Sequence, residues 1–319
     1  MVDVAALGEL LIDFTESGIS PGGMKLFERN PGGAVANVLA AVARLGGSAA
    51  FLGKVGDDMH GRFLKETLEH AGIDVTGLVT TPTFFTTLAF VALSETGERT
   101  FSFARKPGAD TKLSADEVAE AVVRGARLLH VGSLSMTDEP ARSATLHAVA
   151  IATEAGADVS YDPNYRASLW ADERTAITRM RELLPFVDVM KLSQEETLLL
   201  TDYEDAVSAA KHLNALGISC VAVTLGKDGA LVSVRGETAL VAGFPLPAVD
   251  TTGAGDAFWG GFLYRMLALK KRPRELELRE ATDCAVWGNA AATCCVQKRG
   301  GIPAMPSLAE VLKLMQQYS

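Results

Sequence analysis

The chain has 319 residues, of which 48% are hydrophobic and 22% are charged, a composition typical of folded globular proteins. Acidic residues (39) outnumber basic ones (30), and the formal net charge of −9 disfavours nucleic acid and anionic membranes as partners. No run of about 18 apolar residues occurs and the acidic start is unlike a signal peptide, so we expect a cytoplasmic protein. Its four cysteines (Cys220, Cys284, Cys294 and Cys295) lack zinc-site or disulfide-framework spacing, and we expect reduced thiols.

The first part of the chain predicts strands and helices in alternation, with one interruption. The predicted elements are a strand over 2–14, a helix over 34–45, a strand over 49–55, a helix over 61–70, and β-rich runs over 86–93 and 99–105. A glycine-rich loop follows the first strand. The two β-rich runs are separated by a short glycine-containing loop, which predicts a hairpin. A hairpin inside an alternating chain indicates a small accessory sheet.

From residue 127 the alternation resumes. Strands are predicted over 127–133, 158–162, 187–192 and 220–225, helices over 139–154, 173–184 and 204–216, a hairpin from 230–235 and 238–241, and helices from about 254 and 275. Strands alternating with helices of this length predict an α/β fold, a doubly wound and mostly parallel sheet with helices on both faces. Because no repeat, low-complexity segment or linker is evident, we expect a single domain over 1–319.

The segment from Asp250 to Phe258, DTTGAGDAF, opens an apolar helix. Small residues at 253–255 let the backbone approach a ligand closely. The first N–H groups of a helix have no partners within it and point outwards at the positive end of the helix dipole. The segment therefore predicts an anion hole. Asp256, in the first turn, fits either a helix cap or a functional carboxylate, and spacing alone does not decide between them.

A second glycine segment, from Pro31 to Asn37, precedes the first predicted helix. Asn37 competes with helical hydrogen bonding, so we interpret it as facing a polar ligand such as a sugar hydroxyl. Asp13 and the polar strand ends at 162–166, 191–196 and 224–229 are predicted at the same carboxyl edge of the sheet, where open α/β sheets bind ligands. P-loop, dinucleotide-fingerprint, protein-kinase and zinc-protease motifs are absent from the sequence.

Together these segments resemble the ribokinase-like (PfkB) family of carbohydrate kinases over nearly the whole chain. Both family signatures are matched, at 32–37 and at 250–258, and the Thr224-Leu225-Gly226 turn fits the family's nucleotide strand end. Within the family, the segments at 8–14, 53–58, 132–135 and 160–170 are most similar to those of fructokinases.

The resemblance implies an ATP-dependent sugar kinase with Mg²⁺ and K⁺ as its ions. It also implies a small β lid built from about 14–28 and 86–105, and the apolar alternation of the hairpin makes this lid a candidate homodimer interface. D-Fructose, phosphorylated on its 6-hydroxyl, is the first expectation for the substrate. The alternatives are 2-keto-3-deoxygluconate, whose carboxylate would suit Arg105 or Arg166, and another sugar of the family. A partner-binding scaffold without catalysis is disfavoured because Asp256 and the anion hole are intact.

The resemblance also implies roles for individual residues. Asp256 is the expected general base, and the amides of Gly253, Ala254, Gly255 and Asp256 form the expected anion hole. The sugar site is expected to comprise Asp13, Gly32, Gly33, Asn37, Phe101, Arg105, Arg166 and Asp256. The nucleotide site is expected to comprise Lys191, Ser193, Glu196, Thr224, Gly226, Gly229, Gly255 and Asn289. Glu196 is expected to organise Mg²⁺ through water, and Asp250, Thr252 and Gly300 to bind a monovalent cation.

Overall fold

The computed structural model describes residues 2–93 and 99–318, without the side chains of 92, 93 and 99–101. The strands in these residues are β1 (Val2–Leu7), β2 (Leu11–Ile19), β3 (Lys25–Gly32), β4 (Ala49–Gly56), β5 (Ile73–Thr81), β6 (Leu88–Leu93), β7 (Arg99–Ala104), β8 (Ala126–Gly132), β9 (Asp158–Asp162), β10 (Val189–Ser193), β11 (Cys220–Thr224), β12 (Ala230–Val234) and β13 (Glu237–Val241). The α-helices are α1 (Ala34–Arg44), α2 (Met59–His70), α3 (Glu120–Arg124), α4 (Ala141–Ala155), α5 (Glu173–Arg181), α6 (Thr197–Thr201), α7 (Ala206–Ala215), α8 (Ala254–Ala268), α9 (Leu278–Cys295) and α10 (Leu308–Gln317).

Nine strands form one large sheet in the order β13-β12-β11-β10-β9-β8-β1-β4-β5. From β11 to β5 every neighbouring pair is parallel, and β12 and β13 add an antiparallel hairpin at one edge. Successive side chains of a strand point to opposite faces, so Val4 and Ala6 of β1 pack in one buried cluster while Ala5 and Leu7 pack in another. Helices cover both clusters, which confirms the predicted doubly wound sheet.

A second sheet of four strands, in the order β3-β2-β6-β7, lies beside the large one. Its strands β2 and β6 are parallel, whereas β3 and β7 pair antiparallel to their neighbours. The single strand predicted over 2–14 is therefore wrong in detail. The chain leaves the large sheet after Leu7 and enters the small sheet at Leu11, and between them Glu9 accepts a hydrogen bond from the Ala34 amide at 2.6 Å.

No helix in the described part of the chain is both long and apolar enough to cross a membrane. The four cysteines are free thiols, and Cys220, Cys284 and Cys295 are buried.

Candidate active site

The beginning of α8 is the centre of the site. Gly253 caps the helix with φ 73°, a left-handed conformation that glycine adopts without strain. Asp256 follows in the first turn and is only 8% exposed. Its Oδ2 accepts a hydrogen bond from Nδ2 of Asn37 at 2.8 Å. The two glycine segments, 219 residues apart in sequence, therefore meet at one carboxylate.

Gly33, the second residue of the Gly32-Gly33 pair, sets the position of Asn37 at the start of α1. Gly33 is the cap of α1, with φ 123°, and the Asn37 amide donates to the Gly33 carbonyl in the first turn of that helix. Oδ1 of Asn37 is buried without a hydrogen-bond partner among the described residues. Buried polar atoms are usually paired, so an unpaired acceptor beside Asp256 is a position that a ligand hydroxyl would satisfy.

The electrostatic surroundings of Asp256 disfavour its charged form. Burial raises its pKa to about 6, and the neighbouring Asp162 carboxylate adds to that effect. The Lys191 ammonium, the hydrogen bond from Asn37 and the Arg166 guanidinium act in the opposite direction. A carboxylate with a pKa near neutrality is suited to accept a proton from a hydroxyl group.

Lys191 and Asp162 form a buried ion pair beside this carboxylate. Nζ of Lys191 donates to Oδ2 of Asp162 at 2.8 Å, and their side chains are 6% and 2% exposed. Met190 of β10 pairs with Tyr161 of the parallel strand β9. Lys191 follows Met190 and Asp162 follows Tyr161, so the strand pairing brings the two charged residues together. Nζ of Lys191 also lies 3.1 Å from the position that a Cβ on Gly255 would occupy.

Glu196 fits water-mediated organisation of a magnesium ion. It is 7% exposed, and its two carboxylate oxygens accept hydrogen bonds from the Tyr165 amide at 2.7 Å and the Ser193 amide at 2.8 Å. These two amides orient the carboxylate, and each of its oxygens keeps acceptor capacity for a water molecule of a bound ion. Ser193 itself contributes to this arrangement through its backbone.

The nucleotide residues predicted from the strand end at 224 lie around one cavity of about 290 Å³. Thr224, Gly226, Gly229, Gly255 and Asn289 are among the residues that line it, together with Phe244 and Phe258. Nδ2 of Asn289 donates to the carbonyls of Val241 and Ala242 at 3.1 and 3.0 Å, so the side chain fixes the wall of the cavity. Lys191, Ser193 and Glu196 do not line this cavity, and Lys191 lies beside Gly255 and Asp256 instead.

The predicted cation residues border a second cavity, of about 130 Å³. Oδ1 of Asp250 accepts a hydrogen bond from the Thr252 amide at 2.8 Å, and Oδ2 accepts one from the Gly300 amide at 3.2 Å. Asp13, from β2 of the small sheet, lines the same cavity. A Cβ on Gly32 would lie 2.2 Å from Oδ2 of Asp13, so a larger residue at position 32 would displace this carboxylate.

The two arginines predicted in the sugar site differ in their surroundings. Arg166 is exposed, donates to the Tyr165 carbonyl at 3.0 Å and is close enough to Asp256 to affect its pKa. Arg105 is buried and donates to Asp110, Leu134 and Thr137 at 2.7, 2.8 and 2.9 Å. Its position favours a structural role over the predicted sugar contact. The side chain of Phe101, another predicted sugar contact, lies outside the described residues.

Sequence reasoning did not assign a role to Asp162 or to Glu9. Asp162 was recognisable only as a polar strand end, and its partner becomes evident once the strand order is known. Glu9 is 1% exposed, and burial raises its pKa to about 7. Through its bond to Ala34 it holds the start of α1, on which Asn37 stands.

Comparison with known proteins places this site in a family. The pfkB family carbohydrate kinase model matches residues 1–308. Fructokinase-1 of Zea mays is 41% identical over 317 residues, which cover 98% of this chain and 97% of that protein. The fructokinase of Xylella fastidiosa, solved with bound ATP, superposes with a TM-score of 0.89 at 35% identity and covers 99% of this chain and 98% of its own. The fructokinase of Vibrio cholerae O395, solved with fructose, ADP and calcium ion, has a TM-score of 0.89 at 33% identity, covering 98% of this chain and 99% of its own. The chain belongs to the pfkB family of carbohydrate kinases.

Proposed function

We propose that this carbohydrate kinase is a fructokinase that transfers the γ-phosphoryl group of ATP to the 6-hydroxyl of D-fructose. The observation that carries the proposal is the buried carboxylate of Asp256, held by Asn37 at the start of α8. The similarity to the fructokinases of Zea mays, Xylella fastidiosa and Vibrio cholerae supports fructose and ATP as the substrates.

In the proposed mechanism, Asp256 accepts the proton of the attacking hydroxyl as the new oxygen–phosphorus bond forms. The backbone amides of Gly253, Gly255 and Asp256 would face the negative charge of the transferred group, whereas the Ala254 amide, also predicted in the anion hole, donates to the Thr251 carbonyl at 3.3 Å. Such fixed donors in a buried site stabilise the transition state without having to reorganise. Asn37 orients the base through one Asp256 oxygen and leaves the other oxygen available for the proton.

Two ions complete the proposal. Mg²⁺, when bound with ATP, neutralises phosphate charge, and Glu196 would hold one of its waters. K⁺ would occupy the loop of Asp250, Thr252 and Gly300, whose backbone it would stiffen directly before the anion hole. Within the described residues no group of three His, Cys, Asp or Glu side chains is arranged to hold a metal ion.

The sugar is assigned to the space between the small sheet and α8, with Asp13, Gly32, Gly33, Asn37 and Arg166 around it. A carboxylate-bearing sugar acid needs a free cationic partner. Arg105 is committed to Asp110, which leaves Arg166 for that role. Arg166 therefore keeps 2-keto-3-deoxygluconate as the alternative substrate, and the similarity to fructokinases is what favours D-fructose.

The test is ATP consumption by the wild-type enzyme with D-fructose, 2-keto-3-deoxygluconate, ribose, mannose and adenosine, and by Arg166→Ala with the first two. We expect the highest kcat/KM for D-fructose. A preference for the acid that Arg166→Ala selectively removes would overturn the choice of sugar and leave the kinase mechanism standing.

Further parts of the proposal concern the whole chain. We propose one kinase domain over residues 1–319, with the small sheet as a lid that closes on the sugar and excludes competing water. We also propose a homodimer joined through the exposed face of this sheet. A cytoplasmic location stays a prediction of the sequence.

A further inference from the structure

The buried pair of Lys191 and Asp162 costs free energy to desolvate. Both side chains are more than nine-tenths buried. Removing two charges from water is expensive, and replacing a buried ion pair with apolar residues is often neutral or stabilising. A requirement for stability is therefore a weak explanation for a lysine at this position.

The surroundings of Lys191 point to chemistry instead. Its ammonium lies 3.1 Å from where a Cβ on Gly255 would be, against the first turn of α8. Burial lowers its pKa, but the carboxylates of Asp162, Glu196 and Asp256 more than offset this, so the net shift of the pKa is upward. Lys191 thus stays a cation inside a cluster that contains three carboxylates.

We propose that Lys191 is a catalytic cation of the phosphoryl transfer, and that Asp162 is the positioning residue that holds it behind the anion hole. This inference rests on the proposed function and deepens it. An ammonium has three N–H donors, and Asp162 occupies one of them. Two donors remain on Nζ, which lies against Gly255, a residue of the predicted anion hole.

Lys191 neither gains nor loses a proton in the proposed chemical step. The bond from the γ-phosphorus to the β-phosphate oxygen breaks, and a bond from the sugar oxygen to the same phosphorus forms. The hydroxyl proton moves to Asp256. In the transition state, negative charge is spread over the three equatorial oxygens of the transferred phosphoryl group. A fixed cation in a site without water stabilises this transition state more than it stabilises bound ATP.

The test compares Lys191→Met, Lys191→Arg and the double variant Lys191→Met/Asp162→Asn, each with the sugar that the wild type uses best. We expect Lys191→Met to lower kcat roughly 100-fold, the usual scale for one lost transition-state donor. The KM values for ATP and sugar, and the calorimetric affinity for ADP, should change by less than about threefold. Lys191→Arg should recover part of kcat, because it keeps the charge.

The double variant separates catalysis from folding. It leaves no unpaired charge in the core, so its Tm should recover towards that of the wild type while kcat stays low. Lys54→Met/Glu117→Gln is the matched control, because Lys54 and Glu117 form a largely buried pair at 2.5 Å that we place outside the site. The control should keep the wild-type kcat.

The pH profile gives a second readout. Asp256 is faced by Asp162, Lys191, Asn37, Arg166 and Cys295. Removing the Lys191 cation should raise the pKa of Asp256 and shift the acidic limb of kcat/KM to higher pH, whereas the control pair should not move it.

Two results would overturn the inference: a folded Lys191→Met enzyme with kcat within fivefold of the wild type, or a double variant in which kcat recovers together with Tm. A loss of ADP affinity at unchanged kcat would also overturn it, because Lys191 would then only bind nucleotide. By contrast, a wild-type enzyme that phosphorylates another sugar but not D-fructose would contradict the proposed function alone.

Discussion

At the scale of single residues, the proposed mechanism depends most on Asp256. As a general base it works only when ionised, and burial raises its pKa to about 6. Activity should therefore be full above this pKa and fall about tenfold for each pH unit below it. Asp256→Asn should lower kcat roughly 10²–10⁴-fold with an unchanged fold.

The measurement is kcat/KM for D-fructose between pH 4.5 and 8 at constant ionic strength, with circular dichroism of Asp256→Asn as the control for folding. A flat profile across pH 6, or near-wild-type kcat in the variant, would remove Asp256 from the base role.

The sequence made Asp256 and Asn37 recognisable because each lies beside a glycine segment that opens a helix. The hydrogen bond between them was not predictable, since it depends on the packing of α1 against α8. The same holds for Lys191 and Asp162, whose pairing follows from the order of β9 and β10. The ion pair of Arg105 with the buried Asp110 was not predictable either. The sugar contact that the resemblance implies for Arg105 stays a prediction.

At the scale of secondary structure elements, Asp58 connects α2 to the small sheet. Its Oδ1 caps the helix by accepting hydrogen bonds from the amides of His60 and Gly61 at 2.9 and 2.8 Å. Its Oδ2 accepts one from the Thr86 amide at 2.8 Å, directly before β6. Asp58→Ala removes both the cap and this connection, so we expect a loss of about 2–3 kcal/mol in the free energy of unfolding.

Hydrogen exchange and urea unfolding test this prediction, with Asp205→Ala as the matched control. Asp205 caps α7 through the Ser208 amide at 2.8 Å, and we see no link from it to the small sheet. The control should lose about 1 kcal/mol. Exchange in residues 88–93 should accelerate only in Asp58→Ala, and equal acceleration in both variants would contradict the connection.

The loop from Asp250 to Thr252 yields a prediction about potassium. Because it precedes the anion hole, a bound K⁺ should fix the amides of Gly253–Asp256 and raise kcat. Rates in potassium, sodium and tetramethylammonium chloride at equal ionic strength should differ, with potassium highest. Equal rates in all three salts would restrict the loop to a structural role.

Most elements of the large sheet were predictable because helices and buried strands differ in the spacing of their apolar residues and because glycines mark their ends. The misses have physical causes. β3 has charged residues and exposed side chains along half its length, and β5 is an edge strand with polar positions, so neither has a strong apolar pattern. α10 did have a recognisable signal, the capping box of Ser307 and Glu310.

At the scale of the whole molecule, the small sheet leaves apolar side chains exposed. Ile19 and Met24 are 70% and 71% exposed, and Phe27 and Phe90, with ring centroids 6.1 Å apart, are each about 40% exposed. Exposed apolar side chains on one small sheet are typical of an interface. We therefore expect a homodimer in sedimentation experiments.

The double variant Ile19→Glu/Met24→Glu should be monomeric, because a dimer would have to bury two carboxylates of each chain in the proposed interface. Leu240→Glu is the control, since Leu240 is 67% exposed on β13, in the other sheet. A wild-type protein that sediments as a monomer at high concentration would contradict the dimer.

The central claim, phosphorylation of D-fructose on its 6-hydroxyl, is tested most directly by the product itself. Wild-type enzyme is incubated with ATP, Mg²⁺ and ¹³C-labelled D-fructose, and the ¹³C spectrum is recorded. We predict that the C6 resonance is split by coupling to ³¹P while C1 is unchanged, and that Asp256→Asn forms this product at least 100-fold more slowly. Splitting at C1, or no phosphorylated fructose at all, would contradict the account.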